Sequence, residues 1–200
     1  MNTLFFINLH KILVIPVILF FMWYYQNSSM TTCIYLSLHG TYSILWLVKE
    51  STFPDQRFVT EFPPTWAGWL FIFVPLAGYY VTPYLLISNN VNAQPWLICM
   101  TLSIYIVGIY LHYVSDAQKF YTLRLKKGLI TDGLFKYSRN PNYLGEILIY
   151  TAFSILSMHW LPFLVLACWC CFFIRNMLRK DRSLSRHHAF KEYCKTSRLL

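Results

Sequence analysis

Long apolar runs separated by short polar breaks organise this chain. Six runs predict membrane-spanning helices over Leu4–Tyr25, Thr32–Val48, Trp66–Ile87, Trp96–Tyr113, Tyr143–Ser157 and His159–Ile174. A spanning helix needs about 20 predominantly apolar residues. The last two runs fall short of that, which predicts a hairpin packed within the bundle. The expected fold class is all-α, a polytopic membrane bundle of about six transmembrane helices with a C-terminal helical hairpin and a cytosolic tail. Residues 1–113 would supply four spans. Residues 114–200 would supply a polar connector, the hairpin and the tail, as a cofactor-binding region. The first run is longer than the apolar core of a signal peptide and lacks a clean small-residue cleavage site after it, so it is read as retained.

Composition agrees with the runs. The chain of 200 residues is 56% hydrophobic and 12% charged, about half the charged fraction of soluble domains. Charge placement adds orientation. The loops around Asn27, Asn90 and Met158 carry no Lys or Arg. Lys11, at the start of the chain, and Lys49 and Arg57, in the second loop, fall on the other side. There too lie Lys119, Arg124, Lys126, Lys127, Lys136 and Arg139 of the connector, and the tail from Arg175. Positively charged loops stay in the cytosol, so both termini are expected there, in the endoplasmic reticulum or in a bacterial inner membrane. The net charge of +9 then becomes a one-sided basic face, suited either to anionic lipid or to an anionic cofactor. Nucleic acid is not an expected partner. Asn27-Ser28-Ser29 is a glycosylation sequon too close to a span to be used. Cys168, Cys170 and Cys171 have no second cluster to pair with, so no metal site is expected.

Chemistry concentrates between Gly133 and Glu146. Pro141 suits a first helical turn, Asn140 can cap it, and an apolar run follows. Asn142 and Glu146, four residues apart, share a face with Tyr143 beside them. A carboxylate one turn inside a membrane helix is costly unless paired, hydrated or bound to a ligand. Glu146 is therefore either a helix-start carboxylate turned to interfacial water or part of a ligand site. In the connector, Ser115–Arg124 is expected to prolong the fourth helix, Gly128 to stop it and Thr131-Asp132-Gly133 to turn the chain. Asp116 either pairs with Lys119 on a solvated face or serves a ligand. His39, Tyr42 and Trp46 form one stripe of the second helix, either as interhelical hydrogen bonds or as donors to a ligand. In the tail, Leu178, Leu184, Phe190 and Tyr193 interrupt the charge run, which argues that it folds back over the hairpin mouth.

The segment from Ser115 to Glu146 resembles the C-terminal domain of steroid 5-alpha-reductases, especially its uncharacterised bacterial-type relatives. The likeness rests on Asp116-x-Gln118, Gly133-Leu134-Phe135 and Arg139-Asn-Pro-Asn-Tyr-Leu-Gly-Glu146. The tail, from Leu178-Arg-Lys-Asp181 to Arg198-Leu-Leu200, is similar to the same relatives. The resemblance implies reduction, by NADPH, of an activated carbon–carbon double bond in a lipophilic sterol- or isoprenoid-like substrate. It implies that Asn142 hydrogen-bonds the nicotinamide amide and that Arg124, Arg139, Arg179 and Arg198 serve the phosphates. Asp116, Tyr143, Asp181 and Tyr193 complete the implied cofactor set, and Glu146, Tyr42 and His39 are the candidate catalytic groups. Isoprenylcysteine and phospholipid methyltransferases share this fold and a related motif but bind S-adenosylmethionine, which is the alternative cofactor. They tend to carry an Arg-x-x-Glu-Glu after the last span, where this chain has Lys180-Asp181. A third reading is a non-catalytic scaffold that binds lipid or a partner. The oligomeric state is left open.

Overall fold

The computed structural model describes residues 3–54, 70 and 74–200. Much of the loop from Glu50 to Pro64, with Arg57 and its aromatic residues, lies outside the described residues, as does the start of the third expected span. Among the described residues the fold is all-helical. Helix α1 (Thr3–Tyr24) is followed by α2 (Met30–Thr52). A 3₁₀ turn at Gly78–Tyr80 leads into α3 (Val81–Ser88). Helix α4 (Pro95–Leu125) is continuous over 31 residues, so the connector does prolong it. A second 3₁₀ turn at Gly133–Lys136 precedes α5 (Pro141–Leu156), α6 (Trp160–Leu184) and the short α7 (Phe190–Thr196).

By length and composition, α1 from Leu4, α4 and α6 are able to cross a membrane, and the chain is a membrane protein. That is three helices among the described residues, where the sequence predicts six spans. The shortfall has physical sources. Helix α5 has only 16 residues. Helix α2 has 23, but Thr, Ser and His positions lower its hydropathy. The turns after α1, α3 and α5 each pass through a left-handed residue: Gln26 (φ 51°), Asn90 (φ 49°) and Met158 (φ 49°). A left-handed residue lets the next amide reach back to an orphan carbonyl of the last turn. Asn27 N–H donates to Met22 O at 3.0 Å, and Val91 N–H to Leu86 O at 3.1 Å.

The chain forms two compact units. One comprises residues 1–101 and 153–163, the other 102–152 and 164–200. In the first, α1 packs on α2 where Gly40 faces Ile15, a Cβ on Gly40 meeting that side chain at 3.2 Å. The buried Asn27 donates to Ile87 O at 2.9 Å. Its side-chain amide is thus engaged inside the fold. Thr31 Oγ1 accepts from Ala93 N–H at 2.9 Å. Lys11, counted among the cytosolic-side charges, is a fully buried residue of α1. Its ammonium lies 3.9 Å from the Tyr42 ring centroid and 4.5 Å from that of Tyr79. Aromatic faces stabilise a desolvated ammonium, which makes this burial tolerable.

In the second unit, α4 and α5 touch backbone to backbone. A Cβ on Gly145 would lie 2.5 Å from His112 N and 2.6 Å from Gly108 O. Small residues allow this approach between membrane helices. The glycine of the motif is thereby explained by packing. The unit carries fourteen basic and five acidic side chains, whereas the first carries three of each, so the whole net charge of +9 belongs to it.

Candidate functional site

The polar motif ahead of α5 is built by its neighbours in the second unit. Gly133 turns the chain at φ +56°, a conformation that favours glycine. Gln118 of α4 holds that turn, donating from Nε2 to Asp132 O at 2.9 Å and accepting from Leu134 N–H at 3.1 Å. A Cβ on Gly133 would collide with the Gln118 amide at 2.4 Å. The Asp-x-Gln signature thus contributes its glutamine to the turn. Tyr193 of α7 donates its hydroxyl to Phe135 O at 2.5 Å. Burial raises the pKa of that hydroxyl, keeping it protonated and able to donate.

The end of the chain closes over the same segment. Arg198 N–H donates to Tyr137 O and Arg139 N–H to Arg198 O, both at 2.9 Å, forming an isolated parallel bridge at Ser138 and Arg198. Asn140, fully buried, donates its side-chain amide to Leu199 O at 2.8 Å. This corrects the expected helix cap. The cap geometry needs the Asn140 side-chain oxygen on an early α5 amide, and Oδ1 has no hydrogen-bond partner among the described residues. Ser138 Oγ instead accepts from Asn140 N–H at 3.1 Å.

Arg139 is held from two sides. Its Nε pairs with Asp181 Oδ2 at 3.0 Å, and its Nη1 donates to Ser197 O at 2.7 Å. Lys180 Nζ donates to Arg139 O at 2.5 Å. Lys180 and Asp181 therefore fix the motif from α6. A phosphate at Arg139 would have to compete with Asp181. The second carboxylate oxygen of Asp181, Oδ1, is buried without a hydrogen-bond partner among the described residues.

The other candidates of this unit fall as follows. Asn142 and Glu146 are half-buried on α5, and the Asn142 carbonyl lies 3.3 Å from Nδ1 of the buried His112. Tyr143 packs against Phe173 with the rings tilted and their centroids 5.0 Å apart. Asp116 is buried on α4. Arg124 is exposed, with its guanidinium 4.5 Å from the Phe120 ring. Arg175, Arg179 and Arg198 are exposed. His112 escaped the sequence reading, and Gln118 entered it only as part of the Asp-x-Gln signature, with no role of its own. A histidine four residues after Gly108 in an apolar run was the available signal for the first.

His39 and Tyr42 belong to the first unit and are both buried on α2. Tyr35 OH bonds His39 Nδ1 at 3.0 Å, and the His39 ring lies 4.6 Å from that of Phe153. Tyr42 lies under the Lys11 ammonium. Trp46, of the same stripe, donates Nε1–H to Asn8 Oδ1 at 3.1 Å. One turn further, Lys49 and Glu50 form a buried pair at 3.0 Å.

Comparison with known proteins places these features in a family. The profile of the family described as "Protein of unknown function (DUF1295)" matches residues 55–196, which holds the α4 connector, the motif and most of the tail. An uncharacterised protein of Schizosaccharomyces pombe is 31% identical over 116 residues, covering 48% of this chain. The chain spans 40% of that curated relative's length.

Proposed function

The chain belongs to the DUF1295 family, and from that premise we propose that it is a membrane-embedded, NADPH-dependent reductase. Its substrate would be a lipophilic, sterol- or isoprenoid-like molecule with an activated carbon–carbon double bond. The steroid 5-alpha-reductase-like signature supports the reading. The observation that carries it is the charge arrangement of the second unit. Asp181, the acid nearest in sequence to the methyltransferase position, already has Arg139 as its counter-ion at 3.0 Å, while Arg175, Arg179 and Arg198 remain exposed. A guanidinium fork suits phosphate oxygens. The residues present therefore fit a polyanionic nucleotide with a carboxamide. Arg179 and Arg198 would bind phosphate, Asn142 would bind the amide, and the buried Asn140 Oδ1 offers a further acceptor.

When bound, NADPH supplies the hydride for the reduction. Reducing an enone places charge on its carbonyl oxygen, and a donor aimed at that oxygen lowers the barrier. Tyr42, His39 and Glu146 are the candidates for this donor, and among them a phenol keeps its proton at neutral pH. Asp181 Oδ1 favours the second reading, a methyltransferase using S-adenosylmethionine, since an acceptor without a partner suits an ammonium group.

Arg179→Ala is expected to weaken NADPH stabilisation of the detergent-purified protein about tenfold or more in apparent Kd, as for loss of a charged hydrogen bond. Arg179→Lys should recover only part, because an ammonium lacks the paired geometry. Equal NADPH response in wild type and Arg179→Ala would remove Arg179 from the site. The proposal includes six spans with both termini in the cytosol. Single cysteines introduced at Asn90 in a cysteine-free background should then react with an impermeant maleimide from outside, and those at Ile130 or Phe190 should not. Strong labelling from outside at position 130 would eliminate this topology.

A further inference from the structure

Hydroxyl groups inside membrane helices ordinarily bond back to a carbonyl of the preceding turn. Ser37 of α2 does so, donating to Cys33 O at 2.9 Å, and Thr52 donates to Val48 O at 2.9 Å. Ser43 does not. Its residue is 1% exposed, and its Oγ has no hydrogen-bond partner among the described residues. His39, one turn earlier, is also 1% exposed, and its Nε2 is likewise without a hydrogen-bond partner among the described residues. Residues four apart on a helix share a face, with Cβ atoms about 5–6 Å apart. Two unmet polar groups therefore lie side by side on α2, among aromatic rings that include Phe153 and Tyr79 and within electrostatic reach of the buried Lys11 ammonium. Leaving a buried donor unmet is costly, so such groups ask for an explanation.

A chain of hydrogen bonds backs His39, and its direction goes with the imidazole tautomer. Thr82 bonds the Tyr35 hydroxyl, and Tyr35 in turn bonds His39 Nδ1 at 3.0 Å. With Thr82 donating to the Tyr35 oxygen, the phenol proton points to Nδ1 and the imidazole keeps its own proton on Nε2. Nε2–H is then a fixed donor, and Ser43 Oγ can donate or accept.

We propose that His39 Nε2 and Ser43 Oγ form a binding site for a single oxygen function, carbonyl or hydroxyl, on an otherwise apolar lipid. A carbonyl accepts from both groups. A hydroxyl accepts from Nε2–H and donates to Ser43. A hydrocarbon satisfies neither. The inference rests on the reductase reading only for calling that lipid a substrate. A buried water makes about three hydrogen bonds, and this pair offers two.

The test uses the full chain in mild detergent, with cholestenone, cholesterol and cholestane as probes of equal bulk that present a ketone, a hydroxyl or no oxygen. Wild-type protein should be stabilised saturably by cholestenone, cholesterol or both, and less by cholestane. Ser43→Ala should weaken the oxygenated probes about tenfold and leave the cholestane response unchanged. His39→Phe should do the same. NADPH stabilisation, measured on the same samples, should persist in both variants. If His39→Phe fails to fold, the wild-type probe series and Ser43→Ala still decide the matter. No saturable shift with either oxygenated probe, equal shifts for all three, or an unchanged Kd in Ser43→Ala would overturn the proposal. The last two outcomes would leave a buried water as the partner. Loss of NADPH binding by the wild type would refute the reductase reading without touching this site.

Discussion

Gly145→Ala is expected to be the most damaging single substitution in the motif. The added Cβ would lie 2.5 Å from His112 N, 2.6 Å from Gly108 O and 2.8 Å from His112 Cβ. Two of those atoms are backbone, so no rotamer change relieves the contact. Helices α4 and α5 must separate, and over-packing of this kind costs about 3 kcal/mol or more. His112 would lose its approach to the Asn142 carbonyl at the same time. A marked fall in melting temperature, with loss of monodisperse protein, is the expected observation. Gly40→Ala makes the control, because its Cβ would meet only the end of the Ile15 side chain at 3.2 Å and 3.4 Å. That neighbour can give way, and a loss under about 1 kcal/mol is expected. Equal stability of Gly145→Ala and wild type would contradict the close crossing of α4 and α5.

Deleting residues 197–200 is expected to release the motif with comparable effect. The deletion removes both hydrogen bonds of the Arg198 bridge, the Ser197 carbonyl that accepts from Arg139 and the Leu199 carbonyl that accepts from Asn140. Asn140 is fully buried, and its Oδ1 already lacks a hydrogen-bond partner among the described residues. Stranding its donor as well costs about 1–3 kcal/mol. The amides at 137–140 should exchange with solvent much faster than in the intact chain, while those at the centre of α4 stay protected. Leu200→Ala, which removes none of these hydrogen bonds, should change neither. Unaltered protection of Arg139 in the deleted protein would show that the tail does not hold the motif.

These two effects mark what the sequence made legible and what it hid. Hydropathy located α1, α2, α5 and the start of α6 to within a few residues, but α6 continues past the apolar run, from Ile174 to Leu184. Charge and glycine signals found the end of α4 near Gly128 and the turn at Gly133. Of the apolar positions of the tail, Phe190 and Tyr193 are buried, whereas Leu178 is exposed and Leu184 half-buried. Long-range pairings were less legible. Asn140 before Pro141 has every local mark of a cap, but Leu199, 59 residues away, takes its amide. Lys11 reads as a topological charge, and only the Tyr42 and Tyr79 rings show why it can be buried. Gln118 and Ser43 are ordinary polar residues in sequence. Their interest lies in what faces them, the Gly133 turn for one and, among the described residues, no hydrogen-bond partner for the other.

The central claim concerns the nucleotide, and a thermal titration of the detergent-purified protein with NADPH and, separately, S-adenosylmethionine tests it most directly. A ligand that binds only the folded state stabilises it by about 2.7 kcal/mol at a hundredfold excess over its Kd. The account predicts a saturable rise in melting temperature with NADPH and none with S-adenosylmethionine. A saturable rise with S-adenosylmethionine and none with NADPH would contradict it and establish the methyltransferase reading in its place.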